Sequence, residues 1–567
     1  MKLKSNLEAK PPKLISDLRD LVRSSMETFG DKIVYSYVEK GEVCDFTYTD
    51  LWEDMNRLGT ALARRSFRGR RIAVIGELHP GWVTTYLAAV NGGNVIVPLD
   101  KDIDDDHMPQ FLELAEVSAV FYTSGSASKI EGMMDRLPRV ELFVPINPPD
   151  GFSGDDRTVP YGTLLEEGQK ALDEGCTDFT EYEIEMEPMC TLLFTSGTTG
   201  TSKGVMLSQK NLTAAVNSSC LSMAYDDKNT FVSVLPPHHT YEMTCTNLSM
   251  INIGAWVFIN DSLKHVVRNF SNFKPNTLIL VPLFVETMYK KIWDQIEKKG
   301  LKKKVRLAMA ASDAMLKVGI DRRSKLFSQI LDAFGGNIRS IVCGGAPLSP
   351  KLIRDFYSFG IIILEGYGIT ECSPLVAVNS PDNIKLRSVG QAVNGVEIRI
   401  DKTDDEDTGE ILVKGDNVML GYYNDPEGTA AVFTDDGFFR TGDIGYMDSD
   451  GFLFITGRKK NVIILSNGKN VFPEEIEERL TDVETIAESV VVGRKNENGD
   501  IVITAIVVPE PDFAEGKSDD EILAEIKKQV NEVNRALPSF KQIHDVELRR
   551  EEFEKNSSRK IKRYMIK

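Results

Sequence analysis

The sequence predicts an α/β protein: a large N-terminal domain of layered α/β subdomains with a small β subdomain, followed by a small α+β C-terminal domain. Three observations predict this. Apolar segments that fit buried strands alternate with amphipathic segments that fit helices. From about residue 390, short apolar runs separated by Gly and Asp are typical of antiparallel strands. After residue 461 the pattern changes again, so we place the domains at 1–460, with a β subdomain at about 385–460, and 461–567.

The first 190 residues contain the alternating pattern. Helices are predicted over 15–30, 50–66 and 81–91, the second with Thr49 or Asp50 as its cap, and buried strands over 71–77, 94–100 and 117–125. This order favours a layered domain with parallel strand pairing. We interpret segment 147–190, which is richer in Pro, Gly and acidic residues, as a surface connection.

The middle of the chain continues the pattern. Further buried strands are predicted over 190–197, 257–260, 277–282 and 338–345. A helix is predicted from about residue 209, with Ser208 as its cap. Residues 283–335 are predicted to be mainly helical, and their basic run 298–304 is interpreted as a solvated helix end.

The rest of the chain, from about residue 390, shows two sequence patterns. The antiparallel strands are predicted over 396–401, 409–415, 437–443 and 451–457. Beyond them we expect a helix that begins near Pro473, a hairpin with Asn498 and Gly499 in its turn, a helix over 519–536 and a basic tail.

Composition limits the class of protein. Of 567 residues, 42% are hydrophobic and 27% are charged, as in ordinary globular proteins. The net charge of −18 argues against broad nucleic-acid binding. Seven scattered cysteines without CxxC spacing favour reduced thiols over a zinc site or disulfide framework. We find no signal-peptide pattern and no apolar run long enough for an integral membrane segment, so we expect a cytoplasmic protein; peripheral membrane contact stays open.

The strongest local signal is the segment 195–204, which follows an apolar strand. Its glycines let backbone amides turn inward, its hydroxyls add donors and its lysine adds a mobile cation, so the segment can bind a polyphosphate. It is not a Walker loop, because the lysine stands between Ser202 and Gly204. The residues expected to bind phosphate are Thr195, Ser196, Gly197, Thr198, Thr199, Gly200 and Lys203.

With this loop the sequence resembles the adenylate-forming (AMP-binding) superfamily, which includes acyl-CoA synthetases, luciferases and the adenylation domains of peptide synthetases. Five further segments resemble the motifs of that family in the family's order: 343–347, 365–371, 440–443, 457–461 and 560–563. Each segment alone is weak. The series of six, over nearly the whole chain, is very specific.

The resemblance implies a role for each segment. The adenine pocket would be formed by Gly345, Ala346, Pro347, Glu365, Gly366, Tyr367 and Gly368, with Thr370 beside it. Asp443 would accept both ribose hydroxyls, Arg458 would belong to the hinge motif, and Glu371 would hold Mg²⁺. Tyr367 can stack on a base, although core packing is its alternative reading. Taken alone, Asp443 could cap a turn and Glu371 could start a helix.

Two histidines, His238 and His239, are adjacent in the chain. A metal site is disfavoured because no third ligand is evident nearby. The resemblance aligns His239 with a residue that flanks the acyl pocket, and a packed or capping histidine is the alternative.

The tail from Lys555 onward contains six basic residues and no acid. Read alone, it would be a solvated arm or a patch for an anionic partner. The resemblance identifies Lys560 as the catalytic lysine. Arg559 stands where the family usually has Gly, and the opening Glu554-Lys555-Asn556 also departs from the usual pattern.

Together these motifs predict an ATP-dependent carboxylate ligase that uses ATP, Mg²⁺ and CoA. The expected catalytic residues are Lys560, Thr370, Glu371 and His239. The resemblance implies that a mobile C-terminal domain rotates about Asn461, delivering Lys560 in one pose and the loop 466–469, with Gly468 as a binding residue, in the other.

Three segments resemble those of bacterial long-chain fatty acyl-CoA synthetases: 457–473, 235–242 and the helical insert 295–337. They favour a long-chain fatty acid as substrate. A ligase that loads acyl carrier protein is the alternative within the enzyme class. A nucleotide-binding pseudo-enzyme and a luciferase-like oxygenase are alternatives of other kinds.

Overall fold

A computed structural model describes residues 2–3, 7, 12–149, 152, 156–195, 203–402, 408–465, 469–496, 499–555 and 561–566. The α-helices in these ranges are α1 (Leu18–Phe29), α2 (Tyr48–Arg64), α3 (Pro80–Asn91), α4 (Met108–Leu114), α5 (Ala127–Glu131), α6 (Tyr161–Asp173), α7 (Gln209–Ser222), α8 (Ser249–Ile253), α9 (Val266–Phe273), α10 (Pro282–Lys298), α11 (Lys302–Lys317), α12 (Arg323–Leu326), α13 (Ser328–Asp332), α14 (Pro350–Phe359), α15 (Pro426–Val432), α16 (Pro473–Leu480), α17 (Pro511–Ala514) and α18 (Asp519–Arg535).

The strands, in chain order, are β1 (Lys2–Leu3), β2 (Ile33–Glu39), β3 (Glu42–Thr47), β4 (Arg71–Ile75), β5 (Val95–Leu99), β6 (Ala119–Tyr122), β7 (Leu142–Pro145), β8 (Met189–Thr195), β9 (Lys203–Ser208), β10 (Thr230–Ser233), β11 (Trp256–Ile259), β12 (Thr277–Leu280), β13 (Ser340–Gly344), β14 (Ile362–Gly368), β15 (Leu375–Val378), β16 (Ile384–Lys385), β17 (Gln391–Ala392), β18 (Val396–Lys402), β19 (Gly409–Gly415), β20 (Gly421–Tyr422), β21 (Phe439–Met447), β22 (Leu453–Arg458), β23 (Ile463–Ile464), β24 (Asn470–Val471), β25 (Ile486–Lys495), β26 (Ile501–Pro509) and β27 (Asp545–Leu548). A π-helix spans Tyr241–Leu248.

The first large sheet has seven strands in the order β20-β9-β8-β5-β4-β6-β7. Its centre is parallel, as the alternating sequence pattern predicts, whereas β9 and β20 pair antiparallel at one edge. Successive side chains of β4 face two cores: Ile72 and Val74 belong to one, and Ala73 and Ile75 to the other. A strand buried on both faces needs a continuous apolar run, which explains why this segment was recognisable.

A second sheet has the order β12-β13-β14-β15-β17, with three parallel strands followed by two antiparallel ones. A third, β10-β11-β2-β3, is also mixed. The strands predicted after residue 390 form the antiparallel sheet β18-β19-β21-β22. The predicted layered α/β architecture with a small β-rich region is therefore confirmed.

The last hundred residues form a smaller unit. The strands β25, β26 and β27 make its sheet, and α16 and α18 pack on it. Its core, which includes Ile463, Val471, Ile526 and Val546, is separate from the cores of the preceding sheets. Strands and helices share one core here, so the predicted α+β character is confirmed.

Two local predictions were wrong, and one strand was not predicted. Segment 147–190 is not only a connection, because it contains α6, whose Gly168 lies so close to α2 that a Cβ atom there would sit 1.8 Å from the Arg57 carbonyl oxygen. Residues 203–208 form a strand, β9, that precedes the predicted helix. The cap of α2 is Thr47, which accepts a hydrogen bond from the Asp50 amide.

Candidate functional site

The phosphate-loop segment lies in a hairpin between β8 and β9, whose register pairs Thr195 with Lys203. Residues Ser196, Gly197, Thr198, Thr199 and Gly200 lie outside the described residues. The predicted helix α7 follows directly, and Ser208 caps it by accepting from the Asn211 amide at 3.2 Å. The two described ends of the loop therefore stand on rigid elements at the edge of the largest sheet.

Tyr422 joins the lysine of this hairpin to the predicted magnesium ligand. Lys203 Nζ lies 4.2 Å from the centre of the Tyr422 ring and 3.9 Å from the Asp425 carboxylate. The Tyr422 hydroxyl donates to Glu371 Oε1 at 3.1 Å. Burial, and next the Glu371 carboxylate, raise the pKa of Tyr422, so its hydroxyl remains a donor. The arrangement places a cation at the face of the Tyr422 ring and a carboxylate at its hydroxyl.

The backbone of this segment ties the same groups together. Met419 N donates to the Glu371 carbonyl oxygen at 2.8 Å, Leu420 N donates to the Met206 carbonyl oxygen at 3.0 Å, and Tyr423 N donates to the Gly204 carbonyl oxygen at 2.7 Å. The turn Thr370–Cys372, which contains Thr370 and Glu371, is thus fixed to the phosphate hairpin.

The predicted adenine-pocket segments meet at the ends of two parallel strands. Gly344 pairs with Gly366, and Cys343 pairs with Glu365. Gly345, Ala346 and Pro347 follow β13 at this end, and Gly345 has a φ of +98°, which favours glycine. A Cβ at Gly368 would lie 2.4 Å from the Pro374 carbonyl oxygen, so close packing also requires glycine there.

Glu365 is buried within this pocket region, with 8% of its surface exposed. Its carboxyl accepts from the Leu348 amide at 3.3 Å. Burial raises the pKa of Glu365 to about 8, so the group is protonated near neutral pH. It can therefore act as a neutral hydrogen-bonding group rather than as a charge.

Asp443 is the centre of a second cluster. It accepts from the Tyr367 hydroxyl at 2.5 Å and pairs with Arg458 Nε at 2.7 Å. Antiparallel pairing of β21 with β22 sets Asp443 opposite Arg458. Burial lowers the pKa of Arg458, but the combined attraction of Asp443, Tyr367, Glu371 and Glu474 outweighs burial, so the pKa is raised. Asp443 thus lies in a strand and does not cap a turn, and Tyr367 contacts it by its hydroxyl.

The histidine pair lies at the start of the π-helix. The rings of His238 and His239 are 4.1 Å apart, and His238 Nε2 is 3.6 Å from Asp100. Tyr241 donates to the Val342 carbonyl oxygen at 3.2 Å, beside Gly344. Among the described residues, no three His, Cys, Asp or Glu side chains form a metal-binding group.

The hinge segment forms a short turn, Lys459–Asn461. Asn461 Nδ2 donates to Glu474 on α16. Burial, and next repulsion from Arg458, lower the pKa of Lys460 to about 8. The predicted residues Lys560 and Gly468 lie outside the described residues. Just after Lys560, Arg563 pairs with Glu477.

Sequence reasoning missed Tyr422, Asp425 and Glu410. Glu410 pairs with Arg440 at 3.3 Å and with Lys459 at 2.9 Å, joining β19 to the hinge turn. The only sequence signal for Tyr422 and Asp425 was their place in a Gly-Tyr-Tyr-Asn-Asp-Pro turn between apolar runs, which indicates a loop without indicating its chemistry.

The residues present fit a nucleotide with magnesium. The Glu371 carboxylate accepts from the Tyr422 hydroxyl, and the Lys203 ammonium lies over the face of the same ring. Magnesium is commonly held by one or two carboxylates together with phosphate oxygens, so one carboxylate suffices when the phosphates come with the substrate.

Comparison with known families gives two matches. A family model described as AMP-binding enzyme matches residues 22–423. A second, described as AMP-binding enzyme C-terminal domain, matches residues 460–567. Together they span both the seven-stranded sheet and the smaller unit.

Several individual proteins are similar. The long-chain-fatty-acid–CoA ligase FadD15 of Mycobacterium bovis is 27% identical over 545 residues, covering 89% of this chain and 87% of the relative. The indoleacetate–CoA ligase of Aromatoleum aromaticum is 31% identical over 475 residues, covering 82% and 83%. Among solved structures, the anthranilate CoA ligase AuaEII in complex with anthranoyl-AMP has a TM-score of 0.76 at 19% identity, covering 97% of this chain and 96% of that one. This last likeness concerns the fold alone.

Proposed function

The chain belongs to the adenylate-forming family of AMP-binding enzymes, as an AMP-forming acid–CoA ligase, and on that premise we propose that it converts long-chain fatty acids into their CoA thioesters. In the first step a carboxylate oxygen attacks the α-phosphorus of ATP, and pyrophosphate leaves. In the second step the thiol sulfur of CoA attacks the acyl carbon of the adenylate, the thiol proton is lost, and AMP leaves with the electrons of the broken C–O bond.

The observation that carries the proposal is that Lys203 and Glu371 both contact Tyr422, one at the face of its ring and the other at its hydroxyl. The same loop region continues from β14, whose Tyr367 reaches Asp443. Groups suited to a polyphosphate and groups suited to a ribose therefore stand at one strand end. We assign phosphate contact to Lys203 and ribose contact to Asp443.

The first step brings an anion against a polyanion, so its main barrier is electrostatic. One cation about 4 Å from the forming charge contributes roughly 4 kcal/mol at an effective dielectric constant of 20. This corresponds to about a thousandfold in rate. We assign this role to Lys560, and phosphate neutralisation to Lys203. Bound magnesium, held by Glu371, would supply further neutralisation of the phosphates.

The two steps need different partners at one place. We therefore propose that the unit 461–567 moves relative to 1–460 about Asn461, delivering Lys560 for the first step and the loop with Gly468 for the second. The position of the hinge turn between Glu410 on one side and Glu474 on the other supports Asn461 as the pivot.

The choice of a long-chain acid rests on the motif resemblance and on the named relatives such as FadD15. The indoleacetate–CoA ligase, at 31% identity, favours an aryl-substituted acid as a second candidate. His239 is proposed to flank the acyl group in either case. Loading of acyl carrier protein in place of CoA is the alternative for the second step.

The decisive measurement is kcat/KM for straight-chain acids of increasing length, indoleacetate and benzoate, with ATP and either CoA or acyl carrier protein. In an apolar tunnel each buried methylene adds about 0.8 kcal/mol, or nearly fourfold, until the tunnel ends. We expect a rise of that kind with CoA. A preference for indoleacetate or acetate would contradict the substrate assignment, and a rate seen only with acyl carrier protein would contradict CoA as acceptor.

A half-reaction assay tests the role of Lys560. Lys560→Ala should abolish adenylate formation, followed as pyrophosphate release, and retain thioester formation from preformed acyl-adenylate and CoA. Equal loss of both half-reactions would contradict the assignment. Lys562→Ala, two residues along the same tail, is the matched control and should retain both.

A further inference from the structure

One side of α11 and the turn after it expose apolar side chains among lysines. We call this the α11 surface and define it by Lys303, Lys304, Leu307, Lys317, Val318 and Ile320. The exposed fractions are 74% for Leu307, 72% for Val318 and 49% for Ile320. Large apolar residues are seldom so exposed together unless they have a partner.

Helical geometry places Lys303, Leu307 and Val318, the residue directly after α11, on one side of the helix. At 100° per residue, Leu307 lies within about 40° of Lys303 and Val318 around the helix axis. The opposite side carries Met309 and Ser312, which are buried. The buried side is therefore the anchor of α11, and the exposed side is a second apolar stripe that the fold does not use.

The charge of this region is opposite to that of the whole chain. Residues 298–325 contain ten Lys and Arg against two Asp, whereas the chain carries −18. Lys302 pairs with Glu297, and Arg306 pairs with Asp355. Within the described part of the chain, no carboxylate pairs with Lys303, Lys304 or Lys317.

The helix is held firmly against the body of the protein. Arg306 Nη1 lies 3.1 Å from Asp355 on α14, and its guanidinium stacks 4.1 Å from the Trp293 ring on α10. Tyr289 also donates to Asp355 at 2.6 Å. The helix that presents the exposed stripe is thus fixed, and its backbone adds little ordering cost when a partner binds.

We propose that the α11 surface binds an anionic lipid bilayer. Leu307, Val318 and Ile320 enter the headgroup region, and the lysines contact lipid phosphates. Spaced apolar side chains on a convex helix, surrounded by lysine, suit a planar interface with negative charge. The cations that define this surface are all lysines, which lack the bidentate geometry by which arginine recognises nucleic acids or peptides. Lysines suit non-specific attraction to a negatively charged surface. The proposal is independent of the acyl substrate.

The test is cosedimentation of the full chain with vesicles of phosphatidylcholine alone or mixed with phosphatidylglycerol, at low and high ionic strength. We expect binding to the mixed vesicles only, weakened by salt. Replacing Lys303, Lys304 and Lys317 by Gln should lower the partition coefficient by about a hundredfold, at about fivefold per lysine. The double variant Leu307→Asp, Val318→Asp should abolish binding to the vesicles.

Matched controls separate this surface from general charge and apolarity. Leu114→Asp changes a side chain that is 48% exposed on α4, and a second control replaces Lys170, Lys228 and Lys528 by Gln. Both should bind like the original chain, and all variants should keep its thermal midpoint because the changed side chains are exposed. Failure of the original chain to bind, or equal binding by the α11 variants, would overturn the proposal. If the original chain does not bind vesicles but forms a dimer that the α11 variants lose in sedimentation velocity, the proposal is overturned, and the partner of this surface is a second copy of the chain.

Discussion

At the scale of single residues, Tyr422 connects two predicted site residues although its place in the sequence did not indicate that role. Its ring contacts the ammonium of Lys203, and its hydroxyl donates to Glu371. It touches no reacting atom in the proposed chemistry and acts by positioning two groups that do. A tyrosine suits this place because its face attracts a cation while its edge carries a donor.

Tyr422→Phe keeps the ring beside Lys203 and removes only the hydroxyl. A hydrogen bond to a charged group contributes about 1.5–3 kcal/mol, so adenylate formation should slow by about tenfold or more. Because the lost contact is to Glu371, the magnesium concentration for half-maximal activity should rise. Tyr423→Phe is the control, since the Tyr423 ring faces Arg71 at 5.3 Å. Unchanged magnesium dependence in Tyr422→Phe would contradict the positioning role.

Glu365 gives a prediction about pH. Burial raises its pKa from 4.5 to about 8. Between these values the folded chain holds a proton that the unfolded chain has released, so stability falls as pH rises. The contribution is fully present below about 4.5 and is lost as pH passes about 8. Glu365→Gln removes this titration. The free energy of unfolding of the variant should therefore fall less steeply with pH, and the two slopes should differ by up to ~1.4 kcal/mol per pH unit.

The measurement is the thermal midpoint of both chains from about pH 5 to about pH 8. Glu242, whose pKa burial raises to about 7, remains in the variant and leaves a residual slope of the same sign. Parallel curves for the two chains would mean that Glu365 ionises in the folded state as it does in the unfolded state.

At the scale of elements, the sequence predicted those strands whose burial shows in their own residues. The β4 segment is apolar from Ile72 to Ile75 because both faces are covered there. The strand β9 was missed because its first residues, Lys203 and Gly204, belong to the loop motif. Its pairing with β8 also joins residues on opposite sides of that loop, which a local sequence pattern does not show. The helix α6 was missed because its Gly168 meets the Arg57 backbone, a contact between distant residues that no local pattern contains.

Asn211 on α7 links two elements of the site. Its Oδ1 accepts from the Ser208 amide, and its Nδ2 donates to the carbonyl oxygens of Asp416 and Val418, each at 2.8 Å. Asn211→Ala should lower the free energy of unfolding by about 3 kcal/mol, because one buried amide and two partly buried carbonyl oxygens lose a partner. Ser518→Ala, in the exposed capping box of α18, should cost about 1 kcal/mol.

Urea unfolding followed by fluorescence measures both variants. Because Val418 leads into the segment with Tyr422, Asn211→Ala should also slow adenylate formation, and Ser518→Ala should not. An equal, small loss of stability in both variants would show that α7 does not depend on this link.

At the scale of the whole molecule, the order of motifs along the chain could be predicted, but their convergence could not. The sequence named Lys203, Glu371 and Asp443, and the fold brings their segments to one strand end through β9, β14 and β21. The distances depend on strand order, which local propensity does not determine. The roles of Lys560 and Gly468 remain predictions.

Among the described residues, three ion pairs join the unit 461–567 to the rest of the chain, in addition to the packing of Phe472 beside Gly457. Lys351 lies 3.8 Å from Glu484, and Arg387 lies 3.9 Å from Glu478. Lys290 pairs with Glu510 in the same way. Partly exposed pairs of this kind contribute about 0–1 kcal/mol each, so these three pairs add little to the stability of the pose.

Replacing Lys290, Lys351 and Arg387 by Gln should therefore loosen the pose without unfolding either unit. The hinge turn would then open more often, and trypsin should cleave after Lys459 and Lys460 about tenfold faster, read as initial rates by mass spectrometry. High ionic strength should bring the original chain close to the variant, because salt screens exposed pairs. The triple Gln variant of Lys170, Lys228 and Lys528 controls for loss of positive charge and should be cleaved like the original chain. Equal cleavage of all three chains at low ionic strength would mean that contacts other than these ion pairs hold the pose. Opening of the hinge would then require that those other contacts break.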